Sequence, residues 1–317
     1  MRSQENNGLE GKLIMDNISL AIDAVQYNLP KVKIRLNEPM KNRTSFKIGG
    51  SVRAMFFPEK IEELESLCSM LRDSGVKPLV MGRGTNLLVC DNVLDLVVIN
   101  TMSVNHCERT SETEITAGAG AILSKIAVVA GECGLTGMEF AHGIPGTLGG
   151  AVSMNAGAYG GEMKDVVHSS MIVRPGKGAS SITNEEHGFS YRKSRFSESD
   201  EVILSSVIRL EKGVTEAIRA KMDELNNRRL ESQPLDLPSA GSVFKRPAIG
   251  FAGSLIEQAG LKGYIVGGAQ VSEKHSGFIV NRGDATFSDV MNVIEHVQET
   301  ILQQFGVELE PEIKIIT

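Results

Sequence analysis

Three short segments of this 317-residue chain carry side chains suited to chemistry. In FSYRKSRF (189–196), Arg192, Lys193 and Arg195 crowd together beside Tyr191. An arginine presents a planar fork of donors that matches a carboxylate or an enolate, although such a run of cations also describes a solvated face. In LPSAGSVFKRP (237–247), small residues precede a short strand. If that strand is regular, Ser242 and Phe244 share one face, and Val243 and Lys245 the other. No GxSxG elbow surrounds Ser242, which argues against an acyl-enzyme nucleophile. Its hydroxyl could instead hand a proton to a strongly basic acceptor, and a serine after glycine is also an ordinary turn residue. In FGVELEPEIKIIT (305–317), Val307, Leu309, Ile313 and Ile315 alternate with Glu308, Glu310, Glu312 and Lys314. Pro311 confines this segment to a sheet edge. It reads either as an acidic solvated face or as a tail that brings one glutamate into a site.

Two further segments offer backbone rather than side chains. Seven of the nineteen residues in GIPGTLGGAVSMNAGAYGG (143–161) are glycine. That density is costly unless the backbone must take positive φ or lie against a flat or phosphorylated ligand. MGRGTNLLV (81–89) reads as strand, Gly-x-Gly turn and strand, with Thr85 and Asn86 as side-chain donors. It lacks the third glycine and following helix of a dinucleotide fingerprint, and the Gly-Lys-Ser/Thr of a Walker A loop. Alone it is equally a hairpin turn or a phosphate site. Beside 143–161 it becomes half of a clamp on a diphosphate.

The elements that must hold these groups follow from periodicity. An amphipathic helix is expected over 14–28, and TSFKIGGSVRAMFFP (44–58) alternates like a hairpin turning at Gly49-Gly50. Ile61, Leu64, Leu67 and Leu71 predict a helix stopped by Gly75. PLVM, LLV and LDLVVIN (94–100) predict strands, giving a β–α–β order and a small mixed sheet. Short strands (EITAGAG, SSMIVRP, EVILSSVIRL) then dominate to about 210, interrupted by the helix ILSKIAVVAGECG and another at the start of the glycine-rich segment. Thr215 is placed to cap a helix reaching about Glu231, with a boundary near Val214. Val290, Ile294, Val297 and Ile301 form the stripe of a last helix closed by Gly306. The fold class expected is α+β.

Composition narrows the function classes. A hydrophobic fraction of 41% and a net charge of −6 describe an ordinary globular chain with no basic footprint for nucleic acid or membrane surface. The opening MRSQENNGLEGKLIM has no apolar core of signal length, and no stretch approaches the roughly 20 apolar residues of a membrane span. Cys68, Cys90, Cys107 and Cys133 form no CxxC pair, and no histidines stand at metal spacing. Reduced thiols in a cytoplasmic protein without a metal are expected, with covalent attachment of a flavin to one of them as the sharper alternative.

Taken in order, TSFKIGG, GRGTNLLV, GMEFAHGIPGTLGGAVSMNAGAYGG, YRKSRF, PSAGSVFKRP, AGLKGYIVGGAQVSEKHSGFIVN and LEPEIKII closely resemble the UDP-N-acetylenolpyruvoylglucosamine reductase (MurB) family of peptidoglycan synthesis. The resemblance covers roughly residues 30–317. It implies an FAD-binding α+β fold of the vanillyl-alcohol oxidase type, with two subdomains clamping FAD (30–93 joined by strand 305–317, and 94–214). A substrate-binding domain (215–304) and an N-terminal extension (1–29) complete the expected division. It also implies the reaction. NADPH reduces non-covalently held FAD, hydride passes from flavin N5 to C3 of the enolpyruvyl group, and a proton is added at C2, giving UDP-N-acetylmuramate.

Carried over residue by residue, the family's arginine falls on Arg192, its serine acid on Ser242 and its glutamate on Glu312. Arg192 and Glu312 would stabilise the enolate, and an enolic carbon is basic enough to take the Ser242 proton. The cofactor residues expected in the first loop are Met81, Gly82, Arg83, Gly84, Thr85, Asn86 and Leu87, with Gly118 nearby. Those expected in the second are Ile144, Pro145, Gly146, Gly149, Gly150, Ala151, Asn155, Ala156 and Gly157. Tyr159, Lys245, Arg246 and Lys262 are expected toward the substrate, the three cations chosen by charge for the uridine diphosphate. No tyrosine lies between Tyr191 and Tyr264, so the chain resembles the shorter branch that lacks an inserted tyrosine loop. A monomer is expected. The alternatives are a flavin-dependent oxidase of the same fold and a flavin-binding protein without catalysis.

Overall fold

The computed structural model describes residues 16–174 and 176–317, so the opening MRSQENNGLEGKLIM and the expected helix start at 14 lie outside the described residues. Asp16 caps α1 (Asn17–Asn28) by accepting the Ser19 N–H at 2.8 Å. β1 (Lys33–Pro39) runs antiparallel to β2 (Ser51–Phe57). α2 (Ile61–Asp73) then buries Leu64, Leu67 and Leu71, and Gly75 follows at φ +70. β3 (Leu79–Met81), β4 (Leu87–Val89) and β5 (Leu94–Asn100) come next. The sheet order is β1-β2-β5-β3, with β2 and β3 parallel to β5. Ile22 and Val25 of α1 share one core with Phe56, Leu67 and Ile99, so α1 is seated on the first sheet.

The segment 44–50 departs from the expected hairpin. β2 takes its antiparallel partner from upstream β1, while Phe46 and Ile48 enter the C-terminal core with Val243, Phe244 and Ile294. The alternation there reflects burial in a neighbouring core rather than strand pairing.

β6 (Cys107–Arg109) and β7 (Glu114–Gly118) open a second sheet. α3 (Leu123–Glu132), β8 (Leu135–Thr136), α4 (Leu148–Ser153) and the ribbon β9 (Gly157–Ala158) and β10 (Gly161–Glu162) follow. β11 (Val167–Arg174), β12 (Gly178–Thr183) and β13 (Val202–Arg209) complete an antiparallel sheet in the order β12-β11-β13-β7-β6. β14 (Glu211–Lys212) pairs with β8 and leads into α5 (Thr215–Ser232). Thr215 is the first helical residue rather than the cap; Val214 occupies that position without a side-chain bond. Ile218 and Met222 join Ile126 and Leu210 in the middle core, so by packing α5 belongs there rather than with the C-terminal sheet.

His187 has no exposed surface and its ring has two hydrogen-bond partners in this middle layer. The Thr183 carbonyl, 2.7 Å from Nδ1, can only accept, which places the ring proton on Nδ1. Nε2 then accepts from Ser170 Oγ at 2.8 Å, and Ser170 in turn contacts Ser206 Oγ at 2.7 Å. Burial is the main cause that holds the His187 pKa below its ordinary 6.5. The folded chain therefore binds this proton less readily than the unfolded chain, and stability present above pH 6.5 is lost as pH falls toward the folded value. We expect His187→Phe to lose less melting temperature than the parent between pH 7.5 and 5.5. Equal losses would remove His187 from the acid response.

The C-terminal sheet contains β15 (Ser239–Ser242), β16 (Ile265–Val266), β17 (Ala269–Val271) and β18 (Phe278–Asn281), in the order β15-β18-β17-β16. α6 (Ala252–Gln258) lies between β15 and β16. α7 (Phe287–Phe305) lays Val290, Ile294, Val297 and Ile301 into the core, with Thr286 as cap and Gly306 at φ +65 closing it. β19 (Lys314–Ile316) returns to pair in parallel with β4. Among the described residues no helix is long and apolar enough to cross a membrane, and no cluster of His, Cys, Asp and Glu could hold a metal. The four thiols are free, and burial pushes that of Cys68 up to about 12.

Candidate active site

A cleft of about 790 Å³ runs between the first and middle layers, and the C-terminal tail closes one side. Its volume falls within the range of small-molecule sites. Every residue from Met81 to Leu87 lines it, as do Ile144, Gly146, Gly149, Gly150, Ala151 and Ala156. The two glycine-rich loops meet directly: a Cβ on Gly82 would lie 2.1 Å from Thr147 Oγ1. At Gly146 and Gly150 a Cβ would meet nothing closer than 3.9 and 3.7 Å, so bare backbone keeps this space open. The N–H groups of Arg83, Gly84, Thr85 and Asn86 have no acceptor among the described residues. A row of free donors facing a cradle emptied of side chains fits a diphosphate and the flat ring system attached to it.

Not every expected residue faces this space. Gly118, Pro145, Asn155 and Gly157 do not line the cleft. Gly118 is held behind it, where a Cβ would meet the Val104 carbonyl at 2.4 Å. The Asn86 amide donates to the Glu312 carbonyl at 3.1 Å, tying the loop to the tail. The opposite wall, Phe196 to Ile203, has no glycine signature; only its position directly after YRKSRF pointed to it.

At the closed end, Arg192 and Glu312 meet. Arg192 stands at the tip of a turn with φ +54, and its Nη2 donates to the Gly157 carbonyl at 3.2 Å. Its Nε lies 2.9 Å from Glu312 Oε1. That N–H points past the oxygen and has no aligned acceptor, so the attraction is Coulombic and a buried donor remains free. Burial raises the Glu312 pKa above its ordinary value, against the opposing pull of Arg192 and Lys245. Glu310, the neighbour on the same face, is exposed and paired with Lys245.

Ser242 does not line the cleft, but backbone pairing holds the residues that follow it against the tail. The tail lies antiparallel to 243–245: Glu312 N–H donates to the Val243 carbonyl at 2.7 Å, and Lys245 N–H to the Glu310 carbonyl at 2.8 Å. The expected two-face alternation fails here, because Gly241 at φ +81 and a register shift in β15 let both Val243 and Phe244 enter the core. Ser242 stays half-buried, its Oγ making only a long contact with the Phe244 carbonyl at 3.4 Å. Across Gly277 stands His275, whose Nδ1 accepts the Gly277 N–H at 3.1 Å. Burial lowers the His275 pKa, and no spacing in the sequence marked this histidine.

Of the residues expected toward the substrate, Tyr159, Arg246 and Lys262 do not line the cleft. Lys245 lines the cleft. Arg246 gives its N–H to Tyr191 Oη at 3.1 Å and stacks its guanidinium 4.2 Å from the Phe251 ring. Tyr159, at φ +54, lies beneath Arg228 at 5.1 Å. Lys262 pairs with Glu257 at 2.9 Å, both within electrostatic reach of His275.

The likeness to known proteins runs along the same lines. Residues 52–179 match a family described as an FAD binding domain. Residues 233–316, beginning where α5 ends, match the C-terminal domain of UDP-N-acetylenolpyruvoylglucosamine reductase. The reductase of Caldanaerobacter subterraneus subsp. tengcongensis is 51% identical, over 94% of this chain and 98% of its own. That of Limosilactobacillus reuteri is 46% identical, over 90% and 96%. The crystal structure of the MurB reductase from Thermus caldophilus superposes with a TM-score of 0.77 at 33% identity, covering 90% of this chain and 99% of that one. The glycine-walled cleft, the paired arginine and glutamate at its end and this full-length likeness agree: the chain belongs to the UDP-N-acetylenolpyruvoylglucosamine reductase family.

Proposed function

We propose that this chain is an NADPH-dependent flavoprotein that reduces the enolpyruvyl group of UDP-N-acetylglucosamine enolpyruvate to UDP-N-acetylmuramate, and that it works as a cytoplasmic monomer. The Arg192–Glu312 pair at the end of a glycine-walled cleft is the observation that carries this reading. The loop from Met81 to Leu87 and the segment from Ile144 to Ala156 would hold FAD, the free N–H groups of 83–86 receiving its diphosphate. The chemistry supplied by bound FAD would be hydride transfer, from NADPH and then to C3 of the substrate.

The protein's own residues handle the charge and the proton. Adding hydride at C3 pushes negative charge onto the substrate carboxylate. The unspent N–H of Arg192 meets that charge where water is scarce. Glu312, whose pKa burial raises, stands beside Arg192 to hydrogen-bond the enolic oxygen. Ser242, scarcely engaged elsewhere, gives its proton to C2. Lys245 and Arg246, with Tyr159 and Lys262, are proposed to receive the uridine diphosphate.

The decisive experiment follows NADPH absorbance with purified, flavin-loaded protein. We expect oxidation only when the enolpyruvyl sugar nucleotide is present. Rapid consumption with oxygen alone would favour an oxidase, and a colourless protein that takes up no FAD would sink the reading.

A further inference from the structure

We infer that Asn155 is a positioning residue for Arg192, acting through the base of the turn that presents the guanidinium. The inference rests on the reading that Arg192 meets the substrate carboxylate. Arg192 holds a left-handed backbone conformation, sparsely populated for a non-glycine residue, so the surroundings must over-determine it. Ser190 and Lys193 close the turn by exchanging backbone hydrogen bonds at 2.9 and 3.2 Å, leaving Tyr191 and Arg192 at its tip. The Ser190 carbonyl also accepts from Asn155 Nδ2 at 3.0 Å.

Asn155 is itself fixed on every side. It is wholly buried, and its backbone is left-handed at φ +46. Its amide donates to Glu162 Oε2 at 2.6 Å as well as to Ser190, and its Oδ1 accepts the Lys164 N–H at 2.9 Å. Both donors and the acceptor are thus spent on protein, which is why the residue does not line the cleft. Two residues on, Gly157 accepts from Arg192 Nη2. Two residues before, the Ser153 carbonyl accepts from Ser194 Oγ at 2.6 Å, on the far side of the turn. One short stretch therefore fixes the base, the exit and the guanidinium of the turn, and Asn155 supplies its side-chain hydrogen bond to the base.

The test compares two ligands of the holoenzyme, UDP-N-acetylmuramate, which carries the carboxylate, and UDP-N-acetylglucosamine, which does not. Asn155→Ala should weaken binding of the first by roughly tenfold, as expected for a displaced charge-assisted contact. Binding of the second should change less than about twofold, with unchanged FAD content. In an Arg192→Ala background the same substitution should add nothing, because the group it positions is gone. Asn155→Asp keeps the shape and the acceptor for Lys164, but turns an oxygen on the Ser190 carbonyl, and should give the same selective loss. Equal loss for both ligands, additive effects with Arg192→Ala, or failure of both variants to fold would each overturn the inference. If Arg192→Ala itself fails to discriminate between the ligands, the reading of Arg192 falls first. If it discriminates and the Asn155 variants do not, only the positioning role is lost.

Discussion

Ser242→Ala is expected to leave flavin reduction by NADPH intact while turnover of the enolpyruvyl sugar nucleotide falls by roughly 10²- to 10⁴-fold, the usual worth of a placed general acid. The substitution removes little else. Ser242 Oγ makes one long contact, to Phe244 at 3.4 Å, and the residue is only half-buried, so folding and cofactor uptake should survive. The loss arises because protonation at carbon needs a donor held at the reacting atom. The tail pins 243–245 through the Glu312–Val243 and Lys245–Glu310 backbone bonds, which fixes the backbone beside Ser242. Single-turnover measurements of each half-reaction separate the two effects. Near-normal turnover would take Ser242 out of the mechanism, and slowed reduction by NADPH would make its role structural.

Gly82→Ala should cost the protein its cofactor. The added methyl carbon would stand 2.1 Å from Thr147 Oγ1, 2.8 Å from its Cγ2 and 2.9 Å from its Cβ. Thr147 is buried and β-branched, so it cannot rotate away on every side. The two glycine-rich loops must separate, and overpacking of this kind costs about 1–3 kcal/mol. FAD affinity should therefore fall roughly ten- to hundredfold, measured by fluorescence titration of the apoprotein. Thr147→Ala in the same chain removes two of the three clashes and should recover part of the loss. Unchanged affinity in Gly82→Ala would mean that the loops do not act together on the cofactor.

How much of this was legible in the sequence differs from element to element. α2 and α7 are plain because each buries one stripe, and helical periodicity records one-sided burial directly. The segment 44–50 misleads because alternation says that residues are buried, without saying in which core. α5 misleads in the other direction. Its polar surface suggests a boundary element, yet Ile218 and Met222 suffice to seat it on the middle layer. The glycine loops are legible as close-approach backbone, since only glycine tolerates contacts such as that of Gly82 with Thr147. Arg192 and Glu312 are each ambiguous locally and gain meaning only from the ordered set of segments around them. Asn155 looks like a ligand-facing polar residue, because the chain does not announce that all its hydrogen bonds are already taken.

The threading of 44–48 into the C-terminal core bears on how this molecule can be divided. Phe46 is fully buried there, its carbonyl accepts from Asn281 Nδ2 at 3.1 Å, and Ser45 Oγ donates to the Ser239 carbonyl at 2.6 Å. A fragment starting at 233 would lack both the phenylalanine that fills its interior and β4, the partner of its last strand. It is consequently not a detachable module, however cleanly its sequence matches a named domain. Contacts spanning 194 and 235 residues also raise the contact order, and chains rich in such contacts fold slowly. The segment 44–48, made near the start of the chain, must therefore wait for the C-terminal region before Phe46 can be buried.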